Sequence, residues 1–90
     1  MINNANNDDS LLIEKAQNGH EGAFNFLMTK YYPRVYASLY SYTKSREDSE
    51  DLTQQTFVKV WQQISKFRGD SAFFTWVYRI AINLAKNHFV

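Results

Sequence analysis

Near the end of the chain Thr75, Trp76, Arg79, Asn83, Lys86 and Asn87 are spaced to act on one surface. On a helix that turns about 100° per residue, all but the indole fall within about a third of a turn, with Trp76 lying among them. Each type suits one part of a nucleic acid: the cations phosphate, the amides base edges, and the indole the flat side of an unstacked base. The arc carries no acid, whereas a helix that only packs on a core usually turns Glu and Lys pairs outward. Just ahead of it, residues 66–71 read KFRGDS, a loop with the cations Lys66 and Arg68 and a glycine, Gly69, that lets a ligand approach the backbone. Composition leaves a second reading open, in which Trp76 tucks sideways against a neighbouring helix and the polar residues are merely solvated.

Whatever the arc does, the same helix needs a core behind it. Phe73, Val77, Ile80 and Leu84 lie on one line, which Phe74, Tyr78, Ala81 and Ala85 widen into a broad apolar face. Two further helices can supply that core. From Glu21 onward Phe24, Leu27, Met28, Tyr31, Val35, Leu39 and Tyr42 keep one helical register for about five turns. Pro33 interrupts it without shifting the phase, which predicts a kink near residues 28–32 or two helices stacked end to end. Ser45, with Asp48 three residues on, has the spacing of a capping box and opens the next helix, whose buried stripe is Leu52, Thr56, Phe57, Val60, Trp61 and Ile64.

At the front, Asp9 or Ser10 can cap a short helix through Leu11, Leu12, Ile13 and Ala16, stopped by Asn18-Gly19. Residues 1–8 are Asn-rich and are expected to be disordered. Nothing alternates with the period of a strand, so the expected fold is all-α. It is a small bundle of about four helices in one domain over residues 9–90, the second helix long and kinked near Pro33.

The third helix has an unusual outer side. Asp51, Gln54, Gln55, Val58 and Gln62 place one acid, three amides and a valine where Glu and Lys are more common. Composition allows a protein-binding surface or ordinary solvated surface.

Bulk properties exclude several classes. Ninety residues, 44% apolar and 17% aromatic, are enough for one core. There is no cysteine, and His20 and His88 stand far apart without an acid pair or a glycine-rich phosphate loop beside them. A hydrolase, a metal site and a cofactor are therefore not expected. Net charge is only +1, but residues 66–90 hold four cations against Asp70 while residues 1–65 hold six cations and eight anions. The basic end is the helix with the polar arc. No apolar run approaches the roughly 20 residues of a membrane span, and MINNANNDDS is not a signal peptide, so a soluble cytoplasmic protein without membrane insertion is expected.

The segments LLIEKAQNGHEGAFNFLMTKYYPRVY and REDSEDLTQQTFVKVWQQISKFRGDSAFFTWVYRIAINLAKNHF together resemble region 2 of a bacterial RNA polymerase sigma factor. The extracytoplasmic-function (ECF) group is the nearest, in its envelope-stress sigma-E form. DLTQQTFVKVW at 51–61 and FRGDSAFFTWVYRIAIN at 67–83 carry the resemblance most specifically. It implies that 51–61 grips the clamp helices of the polymerase β′ subunit, with Asp51, Leu52, Gln54, Gln55, Val58, Trp61 and Gln62 as the contact residues. Family members commonly have Glu where Gln55 stands, so one charge toward the basic clamp helices is missing.

The resemblance further implies that residues 66–71 hold a base flipped from the non-template strand of the minus-ten promoter element. Lys66, Phe67, Arg68, Gly69, Asp70 and Ser71 are the pocket candidates, followed along the strand by Thr75, Trp76, Arg79, Asn83, Lys86 and Asn87. Flipping a base costs a few kcal/mol, which an aromatic wall and directed hydrogen bonds can offset. Housekeeping sigma factors wedge the duplex with adjacent tryptophans, where this chain has Trp76-Val77, so stricter dependence on promoter sequence is implied. Full-length members also carry a helix-turn-helix domain, region 4; its absence before Val90 reads as an excised domain. An anti-sigma factor is a further partner expected from the resemblance. The alternative function is a helical protein-interaction module whose main partner is such a regulator.

Overall fold

The computed structural model describes the backbone of residues 5–88 and side chains from residue 9 onward. Helices α1 (Ala5–Gln17), α2 (Glu21–Thr43), α3 (Arg46–Gln63) and α4 (Phe73–His88) follow one another, with one 3-10 turn, Ile64–Lys66, between α3 and α4. No strand occurs among the described residues, so the bundle is all-α as expected.

Local chemistry explains each boundary. α1 ends in a Schellman motif: the His20 N–H donates to the Lys15 carbonyl (3.0 Å), the Gly19 N–H donates to the Ala16 carbonyl (3.0 Å), and Gly19 takes φ +89°. His20 then caps α2, its Nδ1 accepting the Ala23 N–H at 3.0 Å. α2 stops where Lys44 turns left-handed at φ 60° and returns its N–H to the Tyr40 carbonyl. Ser45 Oγ accepts the Asp48 N–H at 3.1 Å and opens α3, while its own N–H goes to Thr43 Oγ1 (3.0 Å). Asp48 therefore supplies no reciprocal bond, and the capping box is half formed.

The core is one contiguous cluster. α2 contributes Ala23, Leu27, Tyr31, Val35 and Leu39, an unbroken i, i+4 row, and α4 contributes Phe73, Val77, Ala81 and Ala85 in the same spacing. α3 contributes Leu52, Phe57 and Val60 together with Ser49, Thr53 and Thr56. The three buried hydroxyls stay satisfied by donating back along their own helix, Thr53 to the Ser49 carbonyl (2.6 Å), Thr56 to that of Leu52 (2.7 Å) and Ser49 to that of Ser45 (2.7 Å).

The structure corrects four details. α2 runs through Pro33 as one element, not two stacked helices. Pro33 lies on the exposed side, where water can satisfy the Thr29 carbonyl that loses its helical donor, and the buried row on either side holds the helix together. Tyr42 and Tyr78, expected in the apolar registers, are 46% and 40% exposed, because a tyrosine at the margin of a stripe can leave its hydroxyl in water. α1 begins at Ala5, so part of the segment expected to be disordered falls within it, while residues 1–4 lie outside the described residues. Neither Asp9 nor Ser10 is its cap, since both lie inside it.

Asp9 is instead buried at 3% exposure, where its carboxylate accepts from the Tyr31 hydroxyl and from Lys30 Nζ at 2.8 Å. This pairing ties α1 to α2. Burial, then the hydrogen bond to Asp9, then the carboxylate charge push the Tyr31 phenol up to about 12. A folded-state value above the unfolded one means stability that is complete below about pH 10 and is lost as pH rises toward about 12. The free energy of unfolding, from denaturant titrations, will fall across that window by roughly 1 to 3 kcal/mol more in wild type than in Tyr31→Phe. Equal slopes for the two proteins would show that Tyr31 is not the group responsible.

Candidate nucleic-acid interface

The loop between the 3-10 turn and α4 is built on an aromatic floor. Phe67 lies edge-on to Phe73, with centroids 5.4 Å apart, and 5.3 Å from Trp76. Phe73, the first residue of α4, is also 5.7 Å from Tyr31 of α2. The floor is thus continuous with the core, and the loop above it cannot move independently of Phe67. Gly69 takes φ +81° with no atom within 4 Å of where a Cβ would stand, so backbone conformation alone selects glycine here.

Two hollows flank this loop. One, of about 120 Å³, opens toward α4 and is lined by Lys66, Phe67, Arg68, Asp70, Ser71, Trp76 and Arg79. The other, of about 470 Å³, lies toward α1 between Asp9, Ser10 and Ile13 on one side and Phe67, Gly69, Asp70, Ser71, Ala72 and Phe73 on the other. The first gathers three cations around an indole edge. The second has aromatic walls and no cation in its lining, and its Asp9 carboxylate is already engaged by Tyr31 and Lys30.

Thr75, Arg79, Asn83, Lys86 and Asn87 are all exposed along the outer side of α4. They form one polar strip running from the α4-side hollow to the helix end. Trp76 is half-buried against Phe67 and Phe73 and is an edge of the strip, not a free platform. At the far end His88 Nε2 stands 3.5 Å from the Asp48 carboxylate at the start of α3.

A separate surface forms where α3 meets α2. Asp51, Gln54, Gln55, Val58 and Gln62 are exposed, Val58 at 59%. Gln55 Nε2 donates to Asp51 Oδ2 at 2.8 Å, so the amide orients the one acid of that face. Leu52 is 1% exposed and belongs to the core; at i+1 from Asp51 it is turned about 100° round the helix and has no surface for a partner. Trp61 is half-buried, its ring 4.9 Å from Phe24 of α2.

Sequence reasoning missed the share of α2 in this surface. Phe24, Met28 and Tyr32 form the i, i+4 row beside the buried one, half-buried, and with Val58 and Trp61 they line an open apolar groove of about 450 Å³. Two parallel apolar rows on one helix, where one suffices for a core, are the signal that could have found it.

The chain resembles known proteins along almost all of this frame. A family model described as Sigma-70 region 2 matches residues 27–90. An RNA polymerase sigma-H factor of Pseudomonas aeruginosa is 42% identical over 82 residues, covering 91% of this chain and 42% of that protein. An ECF RNA polymerase sigma-E factor of Escherichia coli is 46% identical over 82 residues, with the same coverage of 91% and 42%. The chain therefore spans about two fifths of the length of the curated relatives it matches. Among solved structures, the NMR structure of an engineered region 2 of sigmaE in complex with GTAAAA shares the fold with a TM-score of 0.83 at 37% identity, covering 90% of this chain and 84% of that one. With the family model matched over the whole of α3, the loop and α4, the chain belongs to the sigma-70 region 2 family.

Proposed function

We propose that this domain reads the single-stranded non-template strand of a minus-ten promoter element while docked on core RNA polymerase. The observation that carries the reading is the gathering of Lys66, Arg68, Arg79 and Trp76 around one hollow, continuous with the acid-free strip of α4. The relative of the same fold is complexed with GTAAAA, which supports a short single strand as ligand.

In this reading the two hollows divide the work. Lys66, Arg68, Arg79 and Lys86 take phosphates and fix register, while Asn83, Asn87 and Thr75 address base edges. The α1-side hollow, lined by Phe67, Phe73 and residues 69–72, receives the unpaired base, because its aromatic walls offer stacking and the polar groups of the loop offer hydrogen bonds. The α2/α3 groove, which Glu21 lines, together with the exposed Asp51 about one turn before Gln54 on α3, is the docking surface for the polymerase, through its β′ subunit, since an apolar trough with acids at its edge suits a basic helical partner. The same groove makes an anti-sigma regulator a second occupant of that surface.

Fluorescence anisotropy tests the DNA half. The 90-residue chain is expected to bind a labelled single strand containing GTAAAA more tightly than a scrambled strand or the matching duplex. Three or four phosphate contacts predict a slope of log affinity against log salt of roughly −2 to −3. Arg79→Ala with Asn83→Ala is expected to weaken the matched strand about tenfold or more. Equal affinity for all three nucleic acids, or an unaffected double variant, would remove DNA from the reading and leave the regulator-binding module.

A further inference from the structure

The last residue of α1 reaches across to the start of the loop. Gln17 Nε2 donates to the Ile64 carbonyl at 3.0 Å and to the Phe67 carbonyl at 2.9 Å, contacts that join positions 47 and 50 residues apart in the chain. Both hydrogens of the amide are used. Its orientation follows from chemistry, since the reversed amide would point its oxygen at two other acceptors. The Ile64 carbonyl also accepts the Phe67 N–H at 3.0 Å, so the turn that launches the loop is pinned from its own backbone and from α1 together.

Phe67 is the residue that this pin locates, and Phe67 lines both hollows. A shift of its backbone moves a wall of each. Beyond it, Arg68, Gly69 and Asp70 are exposed, and the chain is next held only where Phe73 enters the core and packs on Phe67. We propose that Gln17 is a positioning residue for base reading: by holding the carbonyls of Ile64 and Phe67 it fixes the loop that receives an unpaired nucleobase. The proposal rests on the reading of residues 66–71 as the base-reading loop.

Gln17 touches no nucleic acid in this scheme and is not required for α1 to dock. Ala16 is buried at 2% exposure, and the Asp9 pairing with Tyr31 and Lys30 secures the other end of the helix. Removing the amide therefore loosens the loop without releasing the helix. Two ordinary hydrogen bonds are worth about 1 kcal/mol each, so the expected change in loop opening is roughly fivefold to thirtyfold.

The test compares wild type, Gln17→Ala and Gln17→Glu, the last keeping the shape but placing a carboxylate against two carbonyls. Amide hydrogen exchange over residues 67–72 without DNA reports loop order, and the thermal midpoint reports the fold. Anisotropy with the GTAAAA strand and its scramble reports discrimination. Both variants are expected to speed loop exchange by about that factor and to lower the ratio of the two affinities at least about fivefold, with the midpoint lowered by roughly 5 to 15 °C and the transition still cooperative. Gln17→Glu is expected to be the more severe. Wild-type exchange in the loop, or both affinities falling by one common factor, overturns the proposal. If wild type itself does not discriminate, the base-reading function fails on its own account, and the exchange rates alone decide whether Gln17 orders the loop.

Discussion

Asp51→Arg is expected to abolish capture of core RNA polymerase, weakening it by at least about a hundredfold. Asp51 is exposed, is the one acid among the outward residues Asp51, Gln54, Gln55, Val58 and Gln62 of α3, and lies about one turn before Gln54, which lines the apolar groove between α2 and α3. Reversal replaces an attraction to a basic partner with like-charge contact, and such juxtaposition costs several kcal/mol at an interface, about tenfold in affinity for each 1.4. The fold loses little by comparison. The Gln55 to Asp51 hydrogen bond is exposed, and an i, i+4 pair of that kind contributes about 0.2 to 0.5 kcal/mol. A thermal midpoint within a few degrees of wild type, measured beside binding of labelled protein to purified core enzyme, separates the two effects. Asp51→Asn, which keeps shape and removes charge, is expected to fall between. Undiminished capture by the reversed variant would take the polymerase away from this surface.

Gln55 gains a role from the same geometry. A glutamate there would set two carboxylates one helical turn apart, each weakening the other's hold on a common orientation. The amide instead donates to Asp51 and fixes it, so the missing charge is exchanged for a better aimed one.

The parts of the molecule that depend on periodicity and on local caps were legible in the residues. The buried rows of α2 and α4, the Asn18-Gly19 stop and the Ser45 cap all follow from side chains acting on their own helix. Contacts between distant segments were not. Asp9 reads as a cap because an acid ahead of an apolar run usually is one; only the docking of α1 on α2 reveals Tyr31 and Lys30 as its partners. Gln17 reads as surface, since nothing local distinguishes an amide that bridges to Ile64 and Phe67 from a solvated one. Leu52 was placed on the polymerase face by its position inside a motif, yet neighbours in sequence point to different sides of a helix. Trp76 combined both readings: it borders the basic hollow and is also packed sideways on Phe67 and Phe73.

Phe73→Ala is expected to cost about 3 to 5 kcal/mol, the range for truncating a buried aromatic side chain. Phe73 is 6% exposed and is the residue at which core and site meet, touching Tyr31 on α2, Phe67 in the loop and Trp76 one turn along α4. Each such ring pair adds about 0.5 to 1.5 kcal/mol beyond burial, so the upper half of the range applies. In a domain of this size a loss of 1 kcal/mol lowers the midpoint by about 4 to 8 °C, which puts the expected drop above about 16 °C. Phe73→Leu restores most of the volume but not the ring edges, so it is expected to cost less than Phe73→Ala, roughly 1.5 to 3 kcal/mol. It is therefore the variant that separates stability from reading. If the aromatic floor sets the shape of the α1-side hollow, Phe73→Leu will stay folded, melting above Phe73→Ala, and still lose preference for the GTAAAA strand over its scramble. If it keeps that preference, the loop is shaped by its backbone pins and by Gly69, and the ring's contribution ends with the core. A cost below about 1.5 kcal/mol for Phe73→Ala would contradict both, because it requires that Phe67 and Tyr31 close over the gap without strain.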